Sequence, residues 1–194
     1  MRQNSILNAW AKGVLAIVIA TLYTTTAMAQ GIRVHTKAGK TVNYPAGTFS
    51  HISPLDRCAE GFLTLDKERT LVLCETSYMM ADPQLKEMIY EIMLKGFQPV
   101  MAHPERYNYA AMPLYKRWKE KDYLLQLNLL SLAGAYGDPA KMKAHELLNE
   151  GMYDYVGSDL HRVENVDRML SAIRLTTKET DRLLQLFENN KQLG

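Results

Sequence analysis

One feature constrains the fold of this chain more than any other. From about residue 58 to the C-terminus, short and nearly continuous apolar runs alternate with windows in which apolar residues recur every three or four positions. Thr70-Leu71-Val72-Leu73-Cys74 is the first apolar run. Leu85, Met88, Ile89, Ile92 and Met93 then fall at helical spacing. Residues 83–95 therefore read as an amphipathic helix, with Asp82 as its N-cap, Pro83 at the first helical position and Gly96 as its stop. A strand over 99–102, a short charged helix over 113–121 and a strand over 123–127 follow. Next come a helix from Asp138-Pro139 to Asn149 or Glu150, stopped by Gly151, and a strand over 153–157. Helices near 165–175 and 178–189 complete the chain. Strands that are apolar on both faces belong to a parallel sheet covered by helices, and the β-α-β-α order implies the same. The expectation is an α/β fold.

The strands share a second property: nearly every one ends on a residue able to do chemistry. Glu75 ends the first, His103 the second and Asn128 the third, while the fourth runs into Ser158-Asp159-Leu160-His161. In a (β/α) barrel the functional groups come from the C-terminal ends of different strands and meet on one rim. Glu75, His103, Asp159 and His161 offer oxygen and imidazole ligands without a thiolate. That set suits Mn²⁺, Fe²⁺ or Zn²⁺ in a hydrolytic site better than a structural zinc. Arg106, three residues after His103, has the planar fork that neutralises a phosphate oxygen. Plain structural roles stand beside these. Glu75 could start a helix, His103 could be a core imidazole, Arg106 could pair with Glu105 or Glu75, and Asp159 and His161 could shape a turn. His145, between charged residues of its helix, reads as solvated. Cys58 and Cys74 form neither a C-x-x-C nor a metal pattern, and the Cys-x₅-Arg loop of thiol phosphatases is absent.

The N-terminal part reads differently. Arg2 and Lys12 precede an apolar stretch over 13–23, and Ala27-Met28-Ala29 is a small-x-small step before Gln30. Residues 1–29 are expected to be a cleaved secretory signal peptide, since the apolar run is shorter than the ~20 residues that span a bilayer. Residues 30–57 alternate apolar and polar in two runs around Lys37-Ala38-Gly39-Lys40, which predicts a short β-hairpin of unknown role. His35 and His51 lie here without a partner at ligand spacing. The remaining residues, 58–194, form the α/β domain. The net charge of +2 is too small to imply binding to nucleic acid or anionic membrane.

Four blocks of sequence carry a resemblance to a known family. They are Glu75-Thr76-Ser77-Tyr78-Met79, the stretch from Gly96 to Tyr107 containing His103-Pro104-Glu105-Arg106-Tyr107, the stretch Gln126 to Leu132, and Gly157-Ser158-Asp159-Leu160-His161. From about Cys58 to Gly194 the chain resembles the capsule-type tyrosine-protein phosphatases of the PHP (polymerase and histidinol phosphatase) superfamily, in the versions found in Bacteroidetes-like bacteria. The resemblance implies a distorted (β/α)₇ barrel with a metal cluster, usually manganese. It implies hydrolysis of phosphotyrosine on a partner tyrosine kinase that controls capsule or exopolysaccharide production. By position, Glu75, His103, Asp159 and His161 correspond to metal ligands and Arg106 to the phosphate-contacting arginine. Asn128 and Ser131 match a recurring stretch of no assigned role. The family's early strands carry His-x-His, which this chain lacks. The fold expected is thus a partial PHP-type barrel, its early strands missing, preceded by a hairpin.

Two alternatives follow from that departure: a non-catalytic remnant or exported interaction protein, and a phosphoesterase of the same superfamily acting on small molecules. An exported or periplasmic location follows if the signal is used, a cytoplasmic one if the chain behaves as the family does. No nucleic-acid partner and no stable membrane span after cleavage are expected, and open strand edges would favour association between copies.

Overall fold

The computed structural model describes residues 31–35, 41–45, 64–66, 68, 70–159, 166–191 and 193. Residues 1–29, expected to be a signal peptide, lie outside the described residues, as do Cys58, His51 and His161.

Six strands form one sheet: β1 (Gly31–His35), β2 (Thr41–Pro45), β3 (Leu71–Glu75), β4 (Gln98–Ala102), β5 (Leu124–Asn128) and β6 (Tyr155–Gly157). Their order is β2-β1-β3-β4-β5-β6. β3 to β6 run parallel, as their two-sided apolar character requires. β4 is the clearest case. Val100 packs with Leu71 and Tyr155 on one face, while Met101 joins the main core on the other. The two strands between Gly31 and Pro45 pair antiparallel, and β1 continues antiparallel onto β3 through Arg33↔Glu75 and Val34↔Cys74. The hairpin thus extends the sheet and covers the edge that β3 would otherwise leave unpaired.

Among the described residues five helices accompany the strands: α1 (Leu85–Leu94), α2 (Met112–Lys119), α3 (Asp138–Glu150), α4 (Val166–Ala172) and α5 (Thr177–Asn190). α1 buries Leu85, Met88, Ile89 and Ile92, the stripe its spacing predicts. It begins two residues later than the Asp82–Pro83 signal implies, because Asp82 Oδ1 accepts from Gln84 N–H and forms a turn ahead of the helix. α3 starts and stops where Pro139 and Gly151 predict. Gly151 takes a left-handed conformation (φ 68°), and Met152 N–H and Gly151 N–H close on Leu147 and Leu148 carbonyls. α5 opens on a capping box formed by Thr176 and Glu179. Glu179 also receives His145 Nδ1 and Asn149 Nδ2, each at 2.8 Å, which joins α3 to α5. His145 is therefore engaged and not simply solvated: its charged sequence neighbours gave no sign of a partner 34 residues away.

Among the described residues no helix is long and apolar enough to cross a membrane. Cys74 is a free thiol buried in β3, and burial pushes its pKa up to about 12, so it is chemically quiet.

Candidate active site

Parallel register puts the C-terminal ends of β3, β4, β5 and β6 along one edge, and the candidate residues collect there. Glu75 is the last residue of β3 and His103 follows the last residue of β4. His103 Nε2 lies 3.4 Å from Glu75 Oε1. Neither His103 nor Asp159 continues its strand. Both turn into the left-handed region, at φ 37° and φ 45°. Pro104 excludes the right-handed helical region for His103, as its position predicts, but the residue adopts the left-handed region in place of an extended one. Non-glycine residues held there cost about 1–3 kcal/mol each and cluster at functional sites.

A dense set of bonds over-determines this strained corner. His103 N–H donates to Gln126 O (2.9 Å), Tyr115 OH to Pro104 O (2.9 Å) and Tyr107 OH to Ala102 O (2.8 Å). Lys143 Nζ reaches in from α3 to Tyr107 O and Ala110 O. The short 3₁₀ turn Pro104–Arg106 that results points its charged residues in opposite directions. Glu105 goes inward and is almost fully buried, at 1% exposure. Its Oε1 accepts from Asn128 N–H (3.0 Å) and Ser131 Oγ (2.7 Å), and its Oε2 from Tyr153 OH (3.0 Å). Asn128 Oδ1 in turn accepts from Leu130 N–H at the start of the 3₁₀ turn Leu129–Ala133. Glu105 therefore ties the turn after β4 to the end of β5 and the approach to β6. Burial pushes its carboxyl up to about 7, against the opposing pull of those donors.

Arg106 goes the other way, to the rim. There Nη1 donates to Asp159 Oδ2 at 2.9 Å. Its guanidinium carbon sits 4.2 Å from the ring centroids of both Tyr78 and Tyr136. Tyr78 OH donates to Glu75 Oε1, and the Tyr78 ring meets the His103 ring edge-on at 5.6 Å. Burial, reinforced by the Glu75 charge, holds the Tyr78 phenol well above its ordinary range, so it stays a donor. Burial is also the largest influence on His103 and lowers its pKa, which favours a neutral imidazole with an available lone pair.

The donor chemistry fits a divalent metal at two positions. His103 Nδ1 is buried without a hydrogen-bond partner, while Nε2 stands beside a carboxylate oxygen. His103 Nε2 and Glu75 Oε1, 3.4 Å apart, are close enough to share one divalent ion. Among the described residues, no group of three or more His, Cys, Asp or Glu side chains comes together as a metal site. Asp159 is on the same rim and engaged with Arg106, and His161 lies outside the described residues. The structure therefore brings together Glu75, His103, Arg106 and Asp159. Tyr136, Glu105 and Tyr153 carried no sequence signal of a role, although Glu105 stands inside the His-Pro-Glu-Arg block.

Comparison with known proteins gives the chain a family and a fold. The sequence model of the family described as "Capsular polysaccharide synthesis, CpsB/CapC" matches residues 17–192, so the match begins ahead of the hairpin and not near Cys58. The tyrosine-protein phosphatase YwqE of Bacillus subtilis (strain 168) is 32% identical over 109 residues, which cover 52% of this chain and 43% of YwqE. Crystal structures of YwqE from Bacillus subtilis and CpsB from Streptococcus pneumoniae, described as unique metal-dependent tyrosine phosphatases, supply a similar fold. The TM-score is 0.61 at 24% identity, over 75% of this chain and 60% of the solved one. The chain thus spans about half the length of the relatives it matches. With the family match extending over nearly all of its sequence, this chain belongs to the CpsB/CapC family of capsular polysaccharide synthesis.

Proposed function

We propose that this chain carries the rim of a metal-dependent protein-tyrosine phosphatase site, acting on phosphotyrosine of a bacterial tyrosine kinase in capsule or exopolysaccharide production. The observation that carries the proposal is the meeting of the Glu75–His103 pair with the oriented Arg106 at the C-terminal ends of parallel strands. The names of the similar proteins support the substrate class. Glu75 and His103 would hold the metal, taken to be manganese from the resemblance, with Asp159 and His161 as further ligands. A bound ion would supply charge neutralisation and a more acidic water. The chain's own residues would do the rest. Burial favours the neutral form of His103, whose Nε2 stands beside Glu75 Oε1, and Tyr78 fixes Glu75 by donating to Oε1. Arg106 receives the non-bridging phosphate oxygens, and Asp159 sets the direction of its Nη1. The sheet over β3–β6 is read as part of a PHP-type distorted barrel, with the hairpin as an addition to its edge.

The test is hydrolysis of a phosphotyrosine peptide by the full chain, with and without Mn²⁺, beside Asp159→Ala and His103→Ala. Manganese-dependent turnover lost in both variants supports the proposal. Turnover of small phosphomonoesters with none of the peptide would reassign the substrate class. No turnover from a folded, Mn²⁺-loaded sample would leave a binding module of the same ancestry.

A further inference from the structure

Arg106 is held in a way that its sequence position does not explain. The Arg106 guanidinium carbon lies 4.2 Å over the ring centroids of both Tyr78 and Tyr136. Tyr78 comes from the loop after β3 and Tyr136 from the loop after the Leu129–Ala133 turn. Neither loop carries Arg106 itself, so the arrangement is tertiary. All five guanidinium N–H groups lie in the plane of the fork. Donors pointed neither at a ring nor at Asp159 stay open to an incoming anion. Asp159 Oδ2 at 2.9 Å from Nη1 fixes the rotation of that plane.

We propose that Tyr78 and Tyr136 form an aromatic clamp that holds Arg106 in place as the phosphate receptor, which makes both tyrosines positioning residues for substrate binding. The proposal rests on the phosphatase reading for the identity of the anion. An unclamped arginine populates many rotamers and loses that freedom when it binds. In the clamp the loss is taken on folding, and the fork is aligned before phosphate arrives. The rings also attract the cation through their π faces. Tyr78 is bonded to Glu75 and touches His103, so its replacement would disturb several groups at once. Tyr136 is the cleaner handle.

The experiment measures binding of inorganic phosphate to the full chain by calorimetry in Mn²⁺, for wild type, Tyr136→Phe and Tyr136→Leu. Metal-free samples of the same proteins, in which no paramagnetic ion broadens the signal, give the Arg106 Nε–H resonance. Without the Tyr136 ring the ordering of Arg106 falls on binding, which weakens phosphate by up to about tenfold in Tyr136→Leu, while Tyr136→Phe, which keeps the ring, restores it to within about twofold. KM for a phosphotyrosine peptide rises in the Leu variant by more than kcat falls. Arg106 Nε–H is shifted upfield by the ring currents in wild type and Tyr136→Phe, and loses that shift in Tyr136→Leu. Wild type that binds no phosphate, a Leu variant that binds as tightly as wild type, or a Phe variant as weak as Leu overturns the clamp. So does an Arg106 resonance without an upfield shift in wild type, a reading that needs no variant to fold. Absence of peptide turnover alone counts against the phosphatase reading and leaves the phosphate and resonance measurements to decide the clamp.

Discussion

Replacing Glu105 separates two things that a buried carboxylate does. Three donors converge on it, from Asn128 N–H, Ser131 Oγ and Tyr153 OH. Glu105→Ala leaves all three buried and unpaired and opens a cavity. At about 1–3 kcal/mol for each stranded donor, the loss is about 3–9 kcal/mol, enough to unfold a marginal domain. Glu105→Gln keeps a carbonyl oxygen for Asn128 and Ser131, and its amide can donate to a turned Tyr153 hydroxyl. The charge alone is removed. Burial raises the Glu105 carboxyl from 4.5 to about 7 in the folded protein. Between those values the native state holds a proton that the unfolded chain has released. The stabilisation is therefore complete below about pH 4.5, is lost as pH rises to about 7, and stays lost above that. A shift of about 2.5 units corresponds to about 3 kcal/mol over that window. Urea unfolding of wild type, Glu105→Gln and Glu105→Ala at pH 5 and pH 8 reads both effects. The Gln variant should match wild type at pH 5 and exceed it at pH 8, with Ala far below both. A Gln variant as unstable as Ala at both pH values, with an unchanged pH slope in wild type, would refute the reasoning.

Further predictions concern the scaffold. Gly151→Ala places a Cβ at φ 68° and against Arg182 Nη1, a flexible end that can move, so the cost is mainly the left-handed backbone. Chemical denaturation should show a loss of about 1 kcal/mol, with no change in metal binding. Thr176→Ala removes the α5 capping box and should cost about 1 kcal/mol, read the same way. Burial acts to raise the Glu179 carboxyl, but hydrogen bonds from the Thr176 backbone and His145 outweigh it and hold its pKa below the ordinary value. That stabilisation is present above about pH 4.5 and is lost as pH falls through the depressed value. Glu179→Gln should therefore flatten the acid limb of the stability profile.

Much of the fold was legible because it rests on local periodicity. The apolar runs at Leu71, Val100, Leu125 and Val156 lie in parallel strands, and Pro139 and Gly151 bound α3 as their backbone preferences dictate. Element limits drifted where a polar side chain chose a local bond, as Asp82 did with Gln84 N–H. The site was legible to the extent that it sits at strand ends. That rule puts Glu75, His103 and Asp159 at strand ends with Arg106 close by, which is where the structure places them; their roles belong to the proposal. What escaped depends on residues far apart in sequence. Nothing around Tyr136 announces that it will lie on Arg106, and Glu105 looks like a surface carboxylate until Ser131 and Tyr153 close on it. His145 shows the same limit, since its partner is on another helix. The hairpin's strands were readable from alternation, but its pairing with β3 through Val34 and Cys74 is a tertiary event.

The most direct measurement is an anomalous difference map from crystals of the full chain grown with Mn²⁺. The account predicts a manganese peak between His103 Nε2 and Glu75 Oε1, about 2.2 Å from each, and no peak in the His103→Ala variant. A map with no peak at that pair, or with manganese bound only elsewhere on the chain, would contradict it.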